Sequence, residues 1–327
     1  MSAVAIVGAA AVSPLGLGWR ALGDRGEPRA QTALRRSHPH VAGFEVPAIP
    51  EALDAGDAKS RRLMSRAARL AAMAARDALR DAGWTDRGGV GYWLGVGASG
   101  GSLSELVAVL ELAMHDGGVS LARLGADGLL ASNPLNTFQV LNNFTMCHGA
   151  ILEGTTGPNG ALFSRGAGTV HALAEAVYAI ESGDCERALA GGADTALHPA
   201  TWAELARDGF AELVPSEGAG LLALARDAAA PLAIVESAGV GDTAAIRDAD
   251  LYVLAPWGEP ARARLRELAR GPSIDVTAWR GEALAAAPAL AWLAALARIA
   301  SGRARRAAVL SLGPDGELGV VVLRRPA

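Results

Sequence analysis

Residues 157–194 read GPNGALFSRGAGTVHALAEAVYAIESGDCERALAGGAD, and this stretch decides the fold. A Gly-Pro-Asn turn signal is followed by a short apolar run at 161–163, a few small residues, and an amphipathic helical pattern that stops at Gly183. The apolar run 187–190 predicts a buried strand that ends at the glycine pair 191–192. A tight bend leading into a helix is a typical mount for a nucleophile, because the free N–H groups and the dipole at the helix start stabilise negative charge.

Length and composition limit the class of protein. The 327 residues suffice for one large domain or two modest ones, and 51% of them are apolar, so a sizeable core is easily built. The net charge of −4 argues against a nucleic-acid partner, which usually leaves a basic footprint. Two cysteines, Cys147 and Cys185, predict no disulfide framework and favour a cytoplasmic location.

The sequence also argues against a leader, a membrane span and a bound cofactor. Pro14 interrupts the N-terminal apolar run and no basic segment precedes that run, so we expect no signal peptide. The most apolar segment, 283–300, contains Pro288 and Arg298, which favours a buried core helix. Residues 95–100 are a literal GxGxxG, but no second strand ending in an acid follows at the distance that a dinucleotide site needs. We therefore expect neither a cofactor nor a metal.

The helix, turn and strand of the opening stretch occur a second time near the C-terminus. AIESGDCERA at 179–188 is answered by RIASGRARRA at 298–307, and GLLALAR at 220–226 is answered by GVVVLR at 319–324. The order of the elements is the same in both copies, as expected for two pseudo-equivalent halves.

Several parts of the opening stretch resemble the nucleophile region of β-ketoacyl-acyl carrier protein synthases. They are Gly157-Pro158-Asn159, His171-Ala172, Gly183-Asp184 and Gly191-Gly192-Ala193-Asp194. The resemblance implies a thiolase-like α/β fold of five layers, α-β-α-β-α, built from two pseudo-duplicated halves. It divides the chain into an N-terminal half at 1–228 and a C-terminal half at 229–327, which is shortened relative to the family.

The same resemblance implies that the reactive groups of the family are replaced. It places Gly166 at the nucleophilic Cys, Pro256 and Glu282 at the two His, Thr277 at the Lys, and Pro314 at the second N–H of the oxyanion hole. A condensing enzyme needs the thiolate, the imidazole donors and the oxyanion hole together. Glycine offers no nucleophile, proline has no N–H, and a carboxylate at neutral pH is expected to offer no proton and to repel an enolate.

The composition supports the loss of these reactive groups, whatever the alignment of this sequence with the family. The last histidine is His198 and the only lysine is Lys59, so the C-terminal half contains neither residue type. The resemblance therefore implies a non-catalytic chain length factor of a type II polyketide synthase, similar to those of polyene-forming, highly reducing systems. Such a subunit forms a heterodimer with a catalytic ketosynthase, meets an acyl carrier protein through that complex, and shapes the product tunnel at the interface.

The residues expected at the tunnel and interface fall on two segments. They are Asn136, Thr137 and Phe138 on the first segment, and Ala161, Phe163 and Ser164 on the second. The first corresponds to the part of the family that reaches towards the partner's tunnel, and we expect it to form the tunnel floor; packing of Phe138 in the core is the alternative. The second is expected to be an edge strand, where small apolar residues suit pairing across a dimer.

Two other functions remain open. An acyl-handling enzyme with a relocated catalytic set would use Ser164, just before the bend, as the nucleophile and His171 as its base, although no acid partner for the imidazole is evident in the sequence. A homodimeric pseudo-synthase scaffold would need no catalytic partner.

Overall fold

The computed structural model describes residues 4–24, 43–98, 101, 103–163 and 166–326, with the backbone alone at 103–105, 136 and 137. The strands described are β1 (Val4–Ser13), β2 (Gly16–Leu17), β3 (Gly91–Val96), β4 (Met114–His115), β5 (Gly118–Val119), β6 (Asn159–Phe163), β7 (Arg187–Thr195), β8 (Glu217–Arg226), β9 (Ala233–Val240), β10 (Leu251–Pro256), β11 (Ser273–Asp275), β12 (Arg306–Leu312) and β13 (Leu318–Arg324). The helices described are α1 (Ala58–Arg61), α2 (Arg66–Asp81), α3 (Leu103–Ala113), α4 (Leu121–Arg123), α5 (Leu129–Ala131), α6 (Thr137–Val140), α7 (Phe144–Glu153), α8 (Gly168–Ser182), α9 (Pro199–Arg207), α10 (Gly258–Leu268), α11 (Thr277–Arg280) and α12 (Ala286–Ala300).

The main sheet is mixed, and its two halves have the same internal order. The N-terminal half runs β6-β3-β7-β8-β1 and the C-terminal half runs β11-β10-β12-β13-β9. Numbered along the chain, both halves read 3-2-4-5-1, and in both the fifth strand is antiparallel to its two neighbours. The halves meet where β1 pairs with β9. The sequence repeat therefore corresponds to equivalent elements, α8, β7 and β8 in one half and α12, β12 and β13 in the other.

Alternate side chains of the central strands enter different cores, as the two-residue period of a strand requires. In β8, Leu222 packs in the core that contains α8 and α12, whereas its neighbour Leu221 packs against α2. In β10, Val253 enters the core of α8 and α12, whereas Leu254 packs in a separate core with Leu265 of α10. The elements therefore stack in layers, with α8 and α12 between the two halves of the sheet and α2 and α10 on the outer faces.

The glycine pair 191–192 does not end β7, which continues to Thr195. The prediction was wrong because these glycines permit close packing instead of a turn. A Cβ on Gly191 would lie 2.9 Å from the carbonyl carbon of Gly220 in β8, and one on Gly192 would lie 2.8 Å from Cγ2 of Thr169 in α8. Neither site has room for a side chain.

The core helix predicted over 283–300 is found close to its expected bounds. That segment contains α12, which is buried along almost its whole length. Pro288 lies in the first turn of α12, where its missing N–H removes no helical hydrogen bond. None of the described helices is long and apolar enough to cross a bilayer. The boundary expected at 228/229 falls between β8 and β9, and the division into two domains stays a prediction.

An ion pair between the buried Glu217 and the partly exposed Arg66 connects α2 to β8. Glu217 is 1% exposed, and its carboxylate accepts hydrogen bonds from Nε and Nη2 of Arg66, at 3.0 and 2.6 Å. The N–H of Val46 donates a further bond to Oε1 at 3.0 Å. Charge-assisted donors on both carboxylate oxygens offset the cost of burying the charge.

We expect Arg66→Ala to lower the free energy of unfolding by about 2–4 kcal/mol, because it leaves the Glu217 carboxylate buried without its counter-charge. Arg80→Ala on the same helix is the matched control. The Arg80 side chain is 64% exposed and lies 3.8 Å from Asp77, so its loss should cost less than about 0.5 kcal/mol. Urea unfolding of both variants measures the difference, and equal losses would contradict the expectation.

Candidate functional site

Gly166 lies at the bend that leads into α8, and Ala167 follows it as the N-cap residue. The carboxylate of Asp315 occupies the space beside this bend, and its Oδ2 accepts a hydrogen bond from the Ala167 N–H at 2.9 Å. A Cβ built on Gly166 would lie 2.6 Å from Oδ2 and 2.7 Å from Cγ of Asp315. The place into which a side chain at 166 would project is therefore filled by an acidic side chain from elsewhere in the chain.

Asp315 belongs to the loop that joins β12 to β13. The loop turns sharply, with the Gly316 N–H donating to the Gly313 carbonyl at 3.1 Å and with Gly316 at φ +77°, a left-handed conformation that favours glycine. Pro314, expected at the second oxyanion N–H, immediately precedes Asp315. The loop thus places two consecutive residues next to the start of α8. Pro314 has no N–H, and the side chain of Asp315 is a hydrogen-bond acceptor.

A second contact joins the same loop to α8. Oε2 of Glu317 lies 3.5 Å from Nε2 of His171, and both side chains are about half exposed. An acid therefore lies beside His171, although none is evident in the sequence, because the two residues are too far apart along the chain for a local pattern to show it. Ser164 lies outside the described residues, so the relocated set Ser164/His171 stays a hypothesis.

Pro256 and Thr277 are built into the C-terminal half of the sheet and its connections. Pro256 is the last residue of β10 and pairs with Leu312 of β12. Thr277 begins α11, and both its hydroxyl and its N–H donate to Oδ1 of Asp275, at 2.9 and 3.0 Å. Neither residue brings an ionisable group to the site.

Glu282 is fully buried just before α12. Its Oε1 accepts a hydrogen bond from the Leu284 N–H at 2.8 Å, and its Oε2 has no hydrogen-bond partner in the described part of the chain. Burial raises the pKa of Glu282 well above its usual range, and the nearby carboxyls of Asp275 and Asp194 act in the same direction. Burial therefore favours the neutral form of Glu282, which runs against the expectation of a charged carboxylate, and only the fold reveals that burial.

Asp194, at the end of β7, is an ionisable residue whose role the sequence did not suggest. Its carboxyl accepts hydrogen bonds from the N–H groups of Thr195 at 2.7 Å and Ala285 at 3.2 Å. Burial raises the pKa of Asp194 to about 7. It lines a cleft of about 280 Å³ together with Gly97, Phe163, Trp257, Leu284 and Ala285. An acid at the carboxyl end of a parallel strand, where α/β sheets bind ligands, was the signal that could have found it.

Comparison with known proteins decides the family. The sequence profile of the beta-ketoacyl synthase N-terminal domain matches residues 1–230. The chain belongs to the beta-ketoacyl synthase family. No curated protein matches it in sequence.

Solved synthases share the fold over nearly the whole chain. The ishigamide ketosynthase/chain length factor superimposes with a TM-score of 0.79 at 20% identity, with 100% of both chains covered. A chain from the complex of a type II polyketide synthase acyl-carrier protein with its ketosynthase bound to the hexaketide gives 0.75 at 14% identity, with 99% of both covered. A beta-ketoacyl synthase from Burkholderia phymatum gives 0.75 at 18% identity, with 100% of both covered. The large mixed sheet with its helices is therefore a ketosynthase-type, thiolase-like α/β fold.

In this beta-ketoacyl synthase fold, the second predicted interface segment lies on an edge strand. β6 is the last strand of the sheet and pairs only with β3 among the described strands. Phe163 at its end is 54% exposed, whereas Ala161 is half-buried. The unpaired side of β6 is thus available to another strand.

The first segment lies on and next to the short helix α6. The ring of Phe138 packs edge-on against Phe144 of α7, with the ring centroids 4.7 Å apart. The side chains of Asn136 and Thr137 lie outside the described part of the structure, so their place at a tunnel floor stays a prediction. Within the described residues, no group of three or more His, Cys, Asp or Glu side chains is placed to bind a metal ion.

We expect Glu282→Gln to stabilise the protein at alkaline pH. The folded-state pKa of Glu282 is raised, so the folded state holds a proton that the unfolded chain loses above pH of about 4.3, and stability falls as the pH rises from there towards the folded pKa. Glutamine keeps the acceptor for Leu284 without this penalty, so the variant should gain at least about 1 kcal/mol over the unmutated protein at pH 8.5 and little at pH 5.

Urea unfolding across this pH range measures the effect, and part of the slope should remain because the pKa of Asp194 is also raised. Glu236→Gln is the control, since Arg306 lowers the pKa of Glu236 and its removal should give no gain at alkaline pH. Parallel stability curves for Glu282→Gln and the unmutated protein would show that Glu282 is not held protonated.

Proposed function

We propose that this chain is a non-catalytic ketosynthase-like subunit, a chain length factor, that pairs with an active ketosynthase and shapes its product tunnel. The observation that carries the proposal is the start of α8. Gly166 supplies no nucleophile there, and the carboxylate of Asp315 fills the space that a nucleophilic side chain would need. A thiolate cannot be replaced in acyl transfer by an empty Cα next to a carboxylate.

The other replaced positions support the same conclusion. No histidine follows His198 and no lysine follows Lys59, so the C-terminal half has no imidazole or ammonium group to stabilise an enolate. Burial favours the protonated form of Glu282, but this residue does not line the cleft beside Asp194. Pro314 has no N–H to offer to an oxyanion.

A partner surface is the feature that a tunnel-forming subunit needs. Most of the large apolar side chains that are exposed in the described residues lie between residues 106 and 163, among them Leu121, Leu130 and Ile151, at 79%, 84% and 74% exposure. This region is continuous in sequence with the edge strand β6, which ends at Phe163. Apolar exposure of this extent next to an open strand edge favours a large subunit interface.

The partners follow from the proposal and from similar structures. One similar structure is a ketosynthase/chain length factor, and another contains an acyl-carrier protein bound to its ketosynthase. We extend both relationships to this chain, so its partner would be a catalytic ketosynthase and its access to an acyl carrier protein would run through that complex. The product class we favour is a polyketide from a highly reducing, polyene-forming system, with Asn136, Thr137 and Phe138 at the tunnel floor.

Two alternative functions predict different experimental results. A relocated acyl-handling set is favoured by Glu317, which supplies the acid beside His171 that the sequence did not show. Covalent acylation of the isolated chain by an acyl-carrier substrate, lost in Ser164→Ala, would support it. A homodimeric scaffold would form a stable dimer without any ketosynthase.

We expect the chain, co-expressed with a catalytic ketosynthase from the same organism as the candidate partner, to purify as a one-to-one heterodimer. Leu130→Asp and Phe163→Asp should each prevent co-purification, because a charge would be buried in the interface. Val240→Asp is the control, since Val240 ends β9 in the other half and is 37% exposed. Native mass measurement reads the assembly; a homodimer, or malonyl decarboxylation by the isolated chain, would contradict the proposal.

We expect Phe138→Ala to lengthen the product of the reconstituted complex, because it removes a ring from the expected tunnel floor. Leu53→Ala is the control, since Leu53 is 42% exposed and lies outside the two interface segments. Mass analysis of the released chains measures the length distribution. An unchanged distribution, together with a loss of stability, would assign Phe138 to packing against Phe144 alone.

A further inference from the structure

We propose that the loop 313–317 is a plug, in which the Asp315 carboxylate occupies the anion-binding position at the start of α8 and closes it to any other anion. The inference concerns this chain alone and does not depend on the proposed function. It would hold equally for a scaffold or for an enzyme whose chemistry lies elsewhere.

The start of α8 has the properties of an anion site. The helix is 15 residues long, so its aligned peptide dipoles present partial positive charge and unpaired N–H groups at the first turn. Gly168, Thr169 and Val170 in that turn are buried, so water competes weakly there. An anion is present in the structure, because Asp315 Oδ2 accepts the Ala167 N–H at 2.9 Å. The occupant is the chain's own side chain.

The position of the Asp315 carboxylate requires a residue without a side chain at 166. All three nearest atoms to a Cβ built on Gly166 belong to the Asp315 carboxylate, and each lies well inside a normal carbon–oxygen or carbon–carbon contact. Any side chain at 166 must therefore displace the plug. In the same way, any ligand atom that approached the bend as an acyl carbonyl or a free carboxylate would meet the oxygens of Asp315 first.

The loop holds the carboxylate in place at several points. β12 and β13 are paired up to Leu312 and Leu318, which leaves only the five residues 313–317 to turn between them. The Glu317 N–H donates to Asp315 Oδ1 at 3.1 Å, and the Glu317 carboxylate lies beside His171 one turn further along α8. A short turn anchored to the helix at both of its acids is a preorganised plug and needs no ligand to close it.

The neighbouring cleft is distinct from the plug, because no residue of 313–317 lines it. That cleft is lined by Phe163, Asp194 and Ala285, and the Thr169 hydroxyl donates to the Ala285 carbonyl at 2.5 Å between the two. An apolar chain could therefore lie in the cleft while the start of α8 stays occupied. The protein would then hold acyl groups in the cleft without offering their carbonyl oxygens a stabilising site.

The test introduces a thiol at the bend and measures how Asp315 suppresses it. Gly166→Cys is made in the full chain in three backgrounds: unmutated Asp315, Asp315→Asn and Asp315→Ala. A helix start favours the thiolate form of a thiol, whereas the negative charge of a nearby carboxylate opposes that ionisation. Alkylation by iodoacetamide is followed peptide by peptide at pH 7. Cys147 and Cys185 serve as internal references, since burial raises the pKa of both thiols.

We expect the introduced thiol to react on the order of tenfold faster with Asp315→Ala than with Asp315 present, with Asp315→Asn in between because it removes the charge but keeps most of the volume. Unchanged rates at the two reference cysteines would show that the fold is intact. Rates within about twofold in all three backgrounds would overturn the proposal, since one pKa unit of stabilisation corresponds to about a tenfold change in thiolate.

A second measurement covers the case in which Gly166→Cys does not fold. Gly166→Ala should lower the thermal midpoint in the unmutated background and much less in Asp315→Ala, which is a double-mutant cycle on the steric contact. Gly239→Ala is the control, because a Cβ at Gly239 meets nothing within 4 Å and its effect should not depend on Asp315. Additive effects of Gly166→Ala and Asp315→Ala would overturn the plug.

Discussion

The close approach of two sheet halves to a shared helix layer is the constraint on which the rest of this structure depends. α8 and α12 pack against strands on both sides, and the strands that cross them have no room for side chains at several points. A Cβ on Gly95 would lie 2.5 Å from Cα of Thr169, and one on Gly220 would lie 3.2 Å from the Ala289 carbonyl carbon. This packing fixes the start of α8 beside the end of β7 and the β12–β13 loop. The site is therefore a consequence of the layer order.

Features that depend on neighbours in sequence could be predicted. The bend before α8, the helix itself and the turn at Gly183 all have local signals, and the repeat of that unit near residue 300 indicated two equivalent halves before any strand order was known. The length of β7 was missed because a glycine pair signals a turn and close packing equally well in a single sequence. Only the partner strand distinguishes them.

Features that depend on distant residues could not be predicted in this way. Asp315 is 148 residues from Ala167, and no periodicity connects them. The raised pKa of Glu282 is caused by its burial, which composition cannot report, so the sequence identified the residue type but not the environment that favours its neutral form. The acid beside His171 was missed because Glu317 lies far from it in the sequence.

The three acids of the site differ in environment, and the differences favour a neutral, apolar occupant over an anionic one. Glu282 and Asp194 are buried, and burial raises the pKa of both carboxyls, so each favours its neutral form more than an exposed acid does. Asp315 brings its carboxylate to the start of α8, where helix N–H groups can stabilise a negative charge. The helix start is thereby satisfied without an external ligand, which avoids unpaired donors in a scaffold that has no nucleophile side chain. An anion would be excluded from that position, whereas a chain in the cleft beside it would meet the apolar side chains of Phe163, Trp257 and Leu284 together with the polar or charged ones of Thr201, Glu204 and Arg207. The apolar part of this lining supports the proposed role, in which the protein guides a growing chain and does not activate it.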